Sequence, residues 1–151
     1  MTLIASRLIR KSERAGAASL DCVTLDSDSR HIRRARLTTD GGRTVVVDLH
    51  DASFMQDGDA LAVEGGLIEI RAAAEPLLEI KAEDALALAR VAWHLGNRHT
   101  PAEVMADAMF IQPDHVLEHM VQGLGAVVRH VSRPFQPEAG AYSGGEHGHG
   151  H

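Results

Sequence analysis

The chain has 151 residues, a formal net charge of −6 and a single cysteine. This length accommodates one domain or two small ones. The acidic balance and the few aromatic residues argue against a nucleic-acid partner, because electrostatic attraction and base-stacking platforms are both lacking. Cys22 has no partner for a disulfide, and no apolar run approaches the roughly 20 residues of a membrane span. We therefore expect a cytoplasmic protein with no membrane partner.

The first half of the chain has the pattern of short β-strands. Turn sequences separate several of the runs, notably Asp40-Gly41-Gly42, Asp57-Gly58-Asp59 and Gly65-Gly66. We predict a small β domain over residues 1–73, a possible partner-docking domain. Its predicted strands are residues 3–9, 20–25, 33–39, 43–49, 60–64 and 67–71.

A local basic cluster interrupts this acidic chain. It consists of Arg30, Arg33, Arg34 and Arg36. We interpret it either as the solvated side of a strand or as a contact for an acidic partner.

The second half alternates strand-like and helix-like segments. The order is a strand at 77–80, an Ala- and Leu-rich helix at 83–95, short strands at 102–105 and 108–111, a helix from His115, and a strand at 126–132. This βαββαβ order predicts a ferredoxin-like domain over residues 74–133, and thus an α+β chain. From Pro134 to His151, the Pro, Gly and Ser content predicts a flexible C-terminal segment with a histidine-bearing end.

The end of the first helix places a histidine in a loop. Gly96 and Asn97 tolerate the left-handed turn that follows a helix, and Pro101 prevents an early restart. His99 lies between Asn97 and Pro101, at the negative end of the helix dipole, where a cation is favoured. One histidine makes no chelate, so the residues alone leave two interpretations open, a metal ligand and an ordinary loop histidine.

Two further histidines are four residues apart. With Asp114 as N-cap and Gly123 as a terminator, His115 and His119 fall on one face of a helix. They would bind one metal ion together or form part of a solvated face. The segment also matches the H-x-x-E-H pattern of zinc peptidases, with Glu118 as the water-activating carboxylate, which makes a zinc hydrolase an alternative.

The chain ends in EHGHGH, where His147, His149 and His151 alternate with glycine. Imidazole is the commonest protein ligand for borderline divalent metals. Because no cage is preorganised, such a tail would capture metal loosely and exchange it quickly. The other interpretation is a purification tag or an unstructured end.

Three segments together resemble the UreE family of urease accessory nickel metallochaperones. They are WHLGNRHTP at 93–101, PDHVLEHM at 113–120 and PFQPEAGAY at 134–142, in that order and followed by a histidine-bearing tail. The resemblance implies a homodimer in which His99 and its symmetry mate share one metal ion. It implies a packing role for His94, and a peripheral site at His115. Pro113 stands where the family has a second histidine for that site, and His119 would take its place if it and His115 bind one ion.

The resemblance also implies what the protein does. The expected function is delivery of Ni²⁺ to urease during assembly of its active site, through a GTPase accessory partner, with no catalysis. Zn²⁺ or Cu²⁺ would substitute in vitro, because imidazole sites also bind those ions. A metal-storage or detoxification protein is the alternative, because it would use the same histidines without a partner.

Overall fold

The computed structural model describes residues 2–138. The chain divides into two compact units, the first ending at Ala73 and the second beginning at Ala74. Within residues 2–138, the first unit has seven strands and two 3₁₀ turns, whereas the second has four strands and two α-helices. This is the predicted α+β class. No helix within residues 2–138 has the length and apolar character needed to cross a membrane.

The first unit contains two small sheets. One has the strand order β1-β5-β4 and the other the order β2-β6-β7-β3. In the first sheet β1 runs parallel to β5, and β4 runs antiparallel to it. The strands are β1 (Thr2–Ala5), β2 (Arg7–Ile9), β3 (Asp21–Leu25), β4 (His31–Thr38), β5 (Thr44–Phe54), β6 (Ala60–Val63) and β7 (Gly66–Ala72).

Alternating apolar side chains explain the core of this unit. Along β5, Val45, Val47 and Leu49 are buried while the residues between them are more exposed, as expected for a strand with one face on the core. The predicted turns are confirmed at Gly42, Gly58 and Gly65, which all have positive φ. Asp21 fastens the hairpin turn between β4 and β5. Hydrogen bonds from the Thr39 hydroxyl, the Cys22 N–H, Arg43 and the Gly41 N–H lower the pKa of the Asp21 carboxyl to about 2.

The structure corrects three sequence-based expectations for the first unit. The predicted strand over residues 3–9 is two strands, β1 and β2, which belong to different sheets. Strand β5 continues to Phe54 instead of ending at residue 49. Arg30 is fully buried, so it is not part of an exposed basic cluster. Its guanidinium donates to the carbonyl oxygens of Asp26 and Met55 and lies 5.0 Å from the centre of the Phe54 ring.

The second unit has the predicted ferredoxin-like topology. Its single sheet has the strand order β11-β8-β10-β9, and each neighbouring pair is antiparallel. The elements are β8 (Ala74–Lys81), α1 (Ala85–Asn97), β9 (Glu103–Val104), β10 (Met109–Ile111), α2 (His115–Gly123) and β11 (Val127–Pro134). Both helices pack on one face of the sheet. Leu88, Val91 and Leu95 of α1 and Leu117 and Val121 of α2 are buried there.

A second apolar cluster forms from other side chains of the same sheet. Phe135 has no exposed surface and packs with Leu77, Ala108 and Phe110. Strand β11 extends through Pro134, so the expectation that a linker starts at residue 134 is wrong. The buried Phe135 ring holds the residues after Pro134 against the sheet. The proline content of the segment gave no sign of this contact. The PFQPEAGAY segment therefore begins as part of the folded unit.

Candidate metal centre

His99 occupies an unusual backbone position at the end of α1. The helix begins after Asp84, whose Oδ1 accepts a hydrogen bond from the Ala87 N–H at 2.8 Å, and it ends at Asn97. Beyond it, the His99 N–H donates to the Gly96 carbonyl at 3.0 Å and the Thr100 N–H donates to the Leu95 carbonyl at 3.2 Å. This pair of bonds is a Schellman motif. Its left-handed residue is His99 itself, with φ of 58°.

The sequence-based expectation that Gly96 and Asn97 form the left-handed turn is therefore wrong. Both residues belong to the helix, and the turn comes two residues later. A residue with a Cβ in this conformation costs about 1–2 kcal/mol, which is why glycine usually occupies the position. Strained backbone held against local preference clusters at functional sites. Two described non-glycine residues have positive φ, Ala15 and His99, and of the two only His99 carries a metal donor. The His99 side chain is exposed.

An open pocket of about 300 Å³ lies beside this turn. It is lined by Arg98, His99, Thr100, Pro101, Gln112, Pro113, Asp114 and Leu117. The C-terminal end of α1 and the N-terminal end of α2 meet here, so the second helix begins beside the candidate ligand. His99 and Pro113 both line the pocket. A proline ring supplies no metal donor, so only His99 presents an imidazole in the pocket lining.

His115 and His119 lie on α2, the helix that starts at this pocket. Asp114 is its N-cap, with Oδ1 accepting from the Val116 N–H at 2.9 Å and the Leu117 N–H at 3.1 Å. Both histidines are exposed and sit one helical turn apart. Among residues 2–138 no cluster of three or more His, Cys, Asp and Glu side chains is arranged to hold a metal ion. One copy of the described chain therefore offers isolated imidazoles rather than a closed site.

Glu118 has a partner that sequence reasoning missed. Its Oε2 lies 3.2 Å from Nε2 of His130, which is on strand β11. The H-x-x-E-H segment thus directs its carboxylate toward a histidine of another element, and no third ligand completes a zinc-peptidase site within the described residues. Only the packing of α2 beside β11 brings these two residues together, so no sequence spacing could have indicated the pair.

His94 is half-buried on α1, and its ring meets that of Trp93 edge to face, with 5.0 Å between centroids. Trp93 itself is 65% exposed, and Leu86, on the same stripe of the helix, is 59% exposed. The wide apolar face expected from the sequence is therefore only partly buried within one copy of the chain. Two large apolar side chains of α1 remain in contact with solvent.

The segment after β11 returns to the loop that carries His99. The Gln136 N–H donates to Oε1 of Glu103 at 2.9 Å, and the Glu138 N–H donates to the Ala102 carbonyl at 2.8 Å. Ala102 is three residues beyond His99 along the chain. The histidines predicted as tail ligands, His147, His149 and His151, lie outside the described residues, but the last described residue is held beside the His99 loop.

Cys22 is set up as a thiol rather than as a metal-binding thiolate. Its Sγ donates to Oδ2 of Asp40 at 3.2 Å. Desolvation, reinforced by that hydrogen bond, raises the pKa of the Cys22 thiol above its ordinary value. Because metals bind the thiolate form, this environment disfavours a ligand role.

Comparison with known proteins gives matches over nearly the whole chain. Residues 5–73 match the family model described as the UreE urease accessory protein, N-terminal domain, and residues 75–151 match the model of its C-terminal domain. The boundary between the two matches coincides with the boundary between the two compact units.

Similar relatives bear the name "Urease accessory protein UreE". One from a Bradyrhizobium species is 52% identical over 135 residues, which cover 89% of this chain and 66% of the relative. One from Agrobacterium fabrum is 50% identical, covering 85% of this chain and 78% of the relative. One from a Chelativorans species is 44% identical, covering 88% of this chain and 85% of the relative. The chain spans slightly less than two thirds of the length of the Bradyrhizobium relative. These names describe an accessory protein, not an enzyme.

Proposed function

The chain belongs to the UreE family of urease accessory proteins, and on this premise we propose that it is a nickel metallochaperone without catalytic turnover. Its cargo is Ni²⁺, which it delivers for assembly of the urease active site in the cytoplasm. The observation that carries the proposal is the backbone of His99, which holds an exposed imidazole in a left-handed position that local energetics would give to glycine.

Symmetry supplies the second ligand. A twofold axis that brings two copies of the His99 loop together turns one imidazole per chain into a pair on one ion. Nickel held by few fixed protein ligands exchanges faster than a metal in a closed four-ligand site, as delivery requires. The absence of a three-residue cluster within residues 2–138 is consistent with a site that one copy cannot complete.

The exposed side of α1 supports such a dimer. Trp93 and Leu86 present large apolar surfaces on the helix that ends in the His99 turn. Apolar side chains of this size are characteristic of interface cores, and tryptophan is enriched at energetically important interface positions. We propose that this helix face contacts its symmetry mate. The dimer would then assemble through apolar contacts and hold together without metal.

The anchoring of Glu138 at Ala102 supports a role for the tail. His147 is nine residues beyond Glu138, a span of at most about 30 Å when fully extended. Starting beside the His99 loop, His147, His149 and His151 are therefore within reach of the shared ion. We propose that they capture Ni²⁺ and add ligands to the core site.

His115 and His119 are proposed as an outer site that collects metal. Two imidazoles one helical turn apart form a chelate of moderate strength, and water would complete the coordination shell. Zn²⁺ and Cu²⁺ would compete at every one of these sites in vitro, because Cu²⁺ exceeds Ni²⁺ in affinity for nitrogen ligands. The cargo would pass to urease through a GTPase accessory partner, as the family resemblance implies.

Calorimetric nickel titration of His99→Ala tests the proposal. The variant should lose the tightest binding event and remain a folded dimer. His94→Ala is the matched control, because this histidine lies on α1, the helix that ends in the His99 turn, but packs against Trp93. It should keep the tight event and alter only stability. Tight binding that survives in His99→Ala, or disappears in a folded His94→Ala, would contradict the assignment.

A further inference from the structure

The outer face of the sheet β1-β5-β4 combines apolar and basic side chains. Strand register places Ile4 opposite Val46 on one side and Arg36 opposite Val46 on the other, so these three side chains form a row across the sheet. The next pair on the same face is Arg34 opposite Asp48. The core side chains of the sheet, such as Val45 and Val47, point to its other face.

This face is open to solvent. Ile4 is 68% exposed, which is unusual for an isoleucine in the middle of a strand. A shallow depression of about 510 Å³ lies over β4 and β5. It is lined by Arg34, Ala35, Arg36, Val46, Val47 and Asp48.

The charge on this face is not balanced internally. The guanidinium of Arg34 pairs with Asp48 at 3.0 Å. Within residues 2–138, no carboxylate is within ion-pair distance of Arg36. The face therefore carries net positive charge on a chain whose formal net charge is −6.

We propose that this face binds an acidic segment of a partner polypeptide. The Arg34 and Arg36 guanidinium groups would bind its carboxylates, and Ile4 and Val46 would contact an apolar side chain placed between them. Arginine suits this task because its planar fork matches a carboxylate with two parallel hydrogen bonds. The inference goes beyond nickel delivery, because it concerns the first unit and invokes none of the metal-site histidines.

A polypeptide fits these features better than a nucleic acid. Two arginines on an otherwise acidic chain provide little counterion release, and the row contains no aromatic side chain on which a base would stack. The apolar centre of the row has no counterpart on a phosphate backbone. An apolar centre with a charged rim is the usual anatomy of a protein–protein contact.

Fluorescence anisotropy with a labelled synthetic peptide tests the proposal. The probe repeats the pattern Glu-Ser-Val-Ser, which puts Glu and Val on one side of an extended chain. The full-length protein should bind it, and added salt should weaken binding. In Arg34→Gln/Arg36→Gln the affinity should fall about fivefold to tenfold, because each exposed ion pair contributes modestly. Ile4→Ser should also weaken binding, which a purely electrostatic contact would not show.

The matched control is Arg90→Gln/Arg129→Gln, which removes two exposed arginines from the second unit. It should bind the probe as the unchanged protein does. Nickel titration of every variant should be unaffected, so failure of this inference is distinguishable from failure of the proposed function. Equal weakening in both double variants, no binding of the probe, or equal binding of a peptide with Gln in place of Glu would overturn the proposal. Tighter binding to single-stranded RNA or anionic lipid vesicles than to the peptide would also overturn it.

Discussion

Replacing His99 by glycine should separate the backbone strain at this position from the role of its imidazole in nickel binding. His99 is the left-handed residue of the Schellman motif that ends α1, with φ of 58°. A Cβ at this position costs about 1–2 kcal/mol, whereas a glycine loses about 0.4–1 kcal/mol through the greater freedom of the unfolded chain. The difference leaves His99→Gly more stable than His99→Ala by about 0.5–1 kcal/mol. For a domain of this size, the melting temperature of His99→Gly should then be about 2–8 °C above that of His99→Ala.

The assay is thermal and urea unfolding of metal-free protein, followed by the fluorescence of Trp93. It is the only tryptophan in the chain and lies on the helix that the motif ends. Both variants should lose tight nickel binding, because neither has an imidazole at position 99. His99→Gly should nevertheless be the more stable of the two.

The result that would refute this reasoning is a His99→Gly variant no more stable than His99→Ala. It would mean that the turn imposes no strain at this position. A glycine variant that still bound nickel tightly would show that the strain has no connection with metal binding.

Nickel binding, measured by competition with a chromogenic chelator, should weaken as the pH is lowered, because protons compete with the ion for imidazole nitrogens. Deleting the residues after Tyr142 should lower nickel stoichiometry without changing the melting temperature. Phe135→Ala should destabilise the second unit by about 3–5 kcal/mol in urea unfolding, because a fully buried ring is removed. Folding lowers the pKa of the Asp21 carboxyl to about 2. Its contribution to stability is therefore present above pH 4 and is lost as the pH falls toward 2. Asp21→Asn should abolish this part of the pH dependence of unfolding.

The order of helices and strands was readable from the sequence because their periodicities differ. The Ala- and Leu-rich run predicted α1, and Asp114 predicted the start of α2, where its carboxylate accepts the expected cap hydrogen bonds. The βαββαβ order then constrained the topology of the second unit. Such features can be predicted from the sequence because they depend on residues only a few positions apart.

Other features depend on tertiary contacts and could not be predicted. The Schellman motif starts two residues later than Gly96 and Asn97 suggested, because helical bonds continue through both residues and the strain falls on His99. The pairing of Glu118 with His130 joins elements that are distant in sequence. Arg30 is another example, because two backbone carbonyls and an aromatic ring satisfy its guanidinium inside the core.

The stoichiometry of the tightest nickel site is the most direct test of the central claim, that two copies of His99 share one ion. Native mass spectrometry of the full chain, loaded with a limiting amount of Ni²⁺, counts ions per assembled species. We predict a dimer that carries one tightly held nickel ion and loses it in His99→Ala while remaining a dimer. A tight ion on each monomer, or a dimer that keeps its ion after the substitution, would contradict the account.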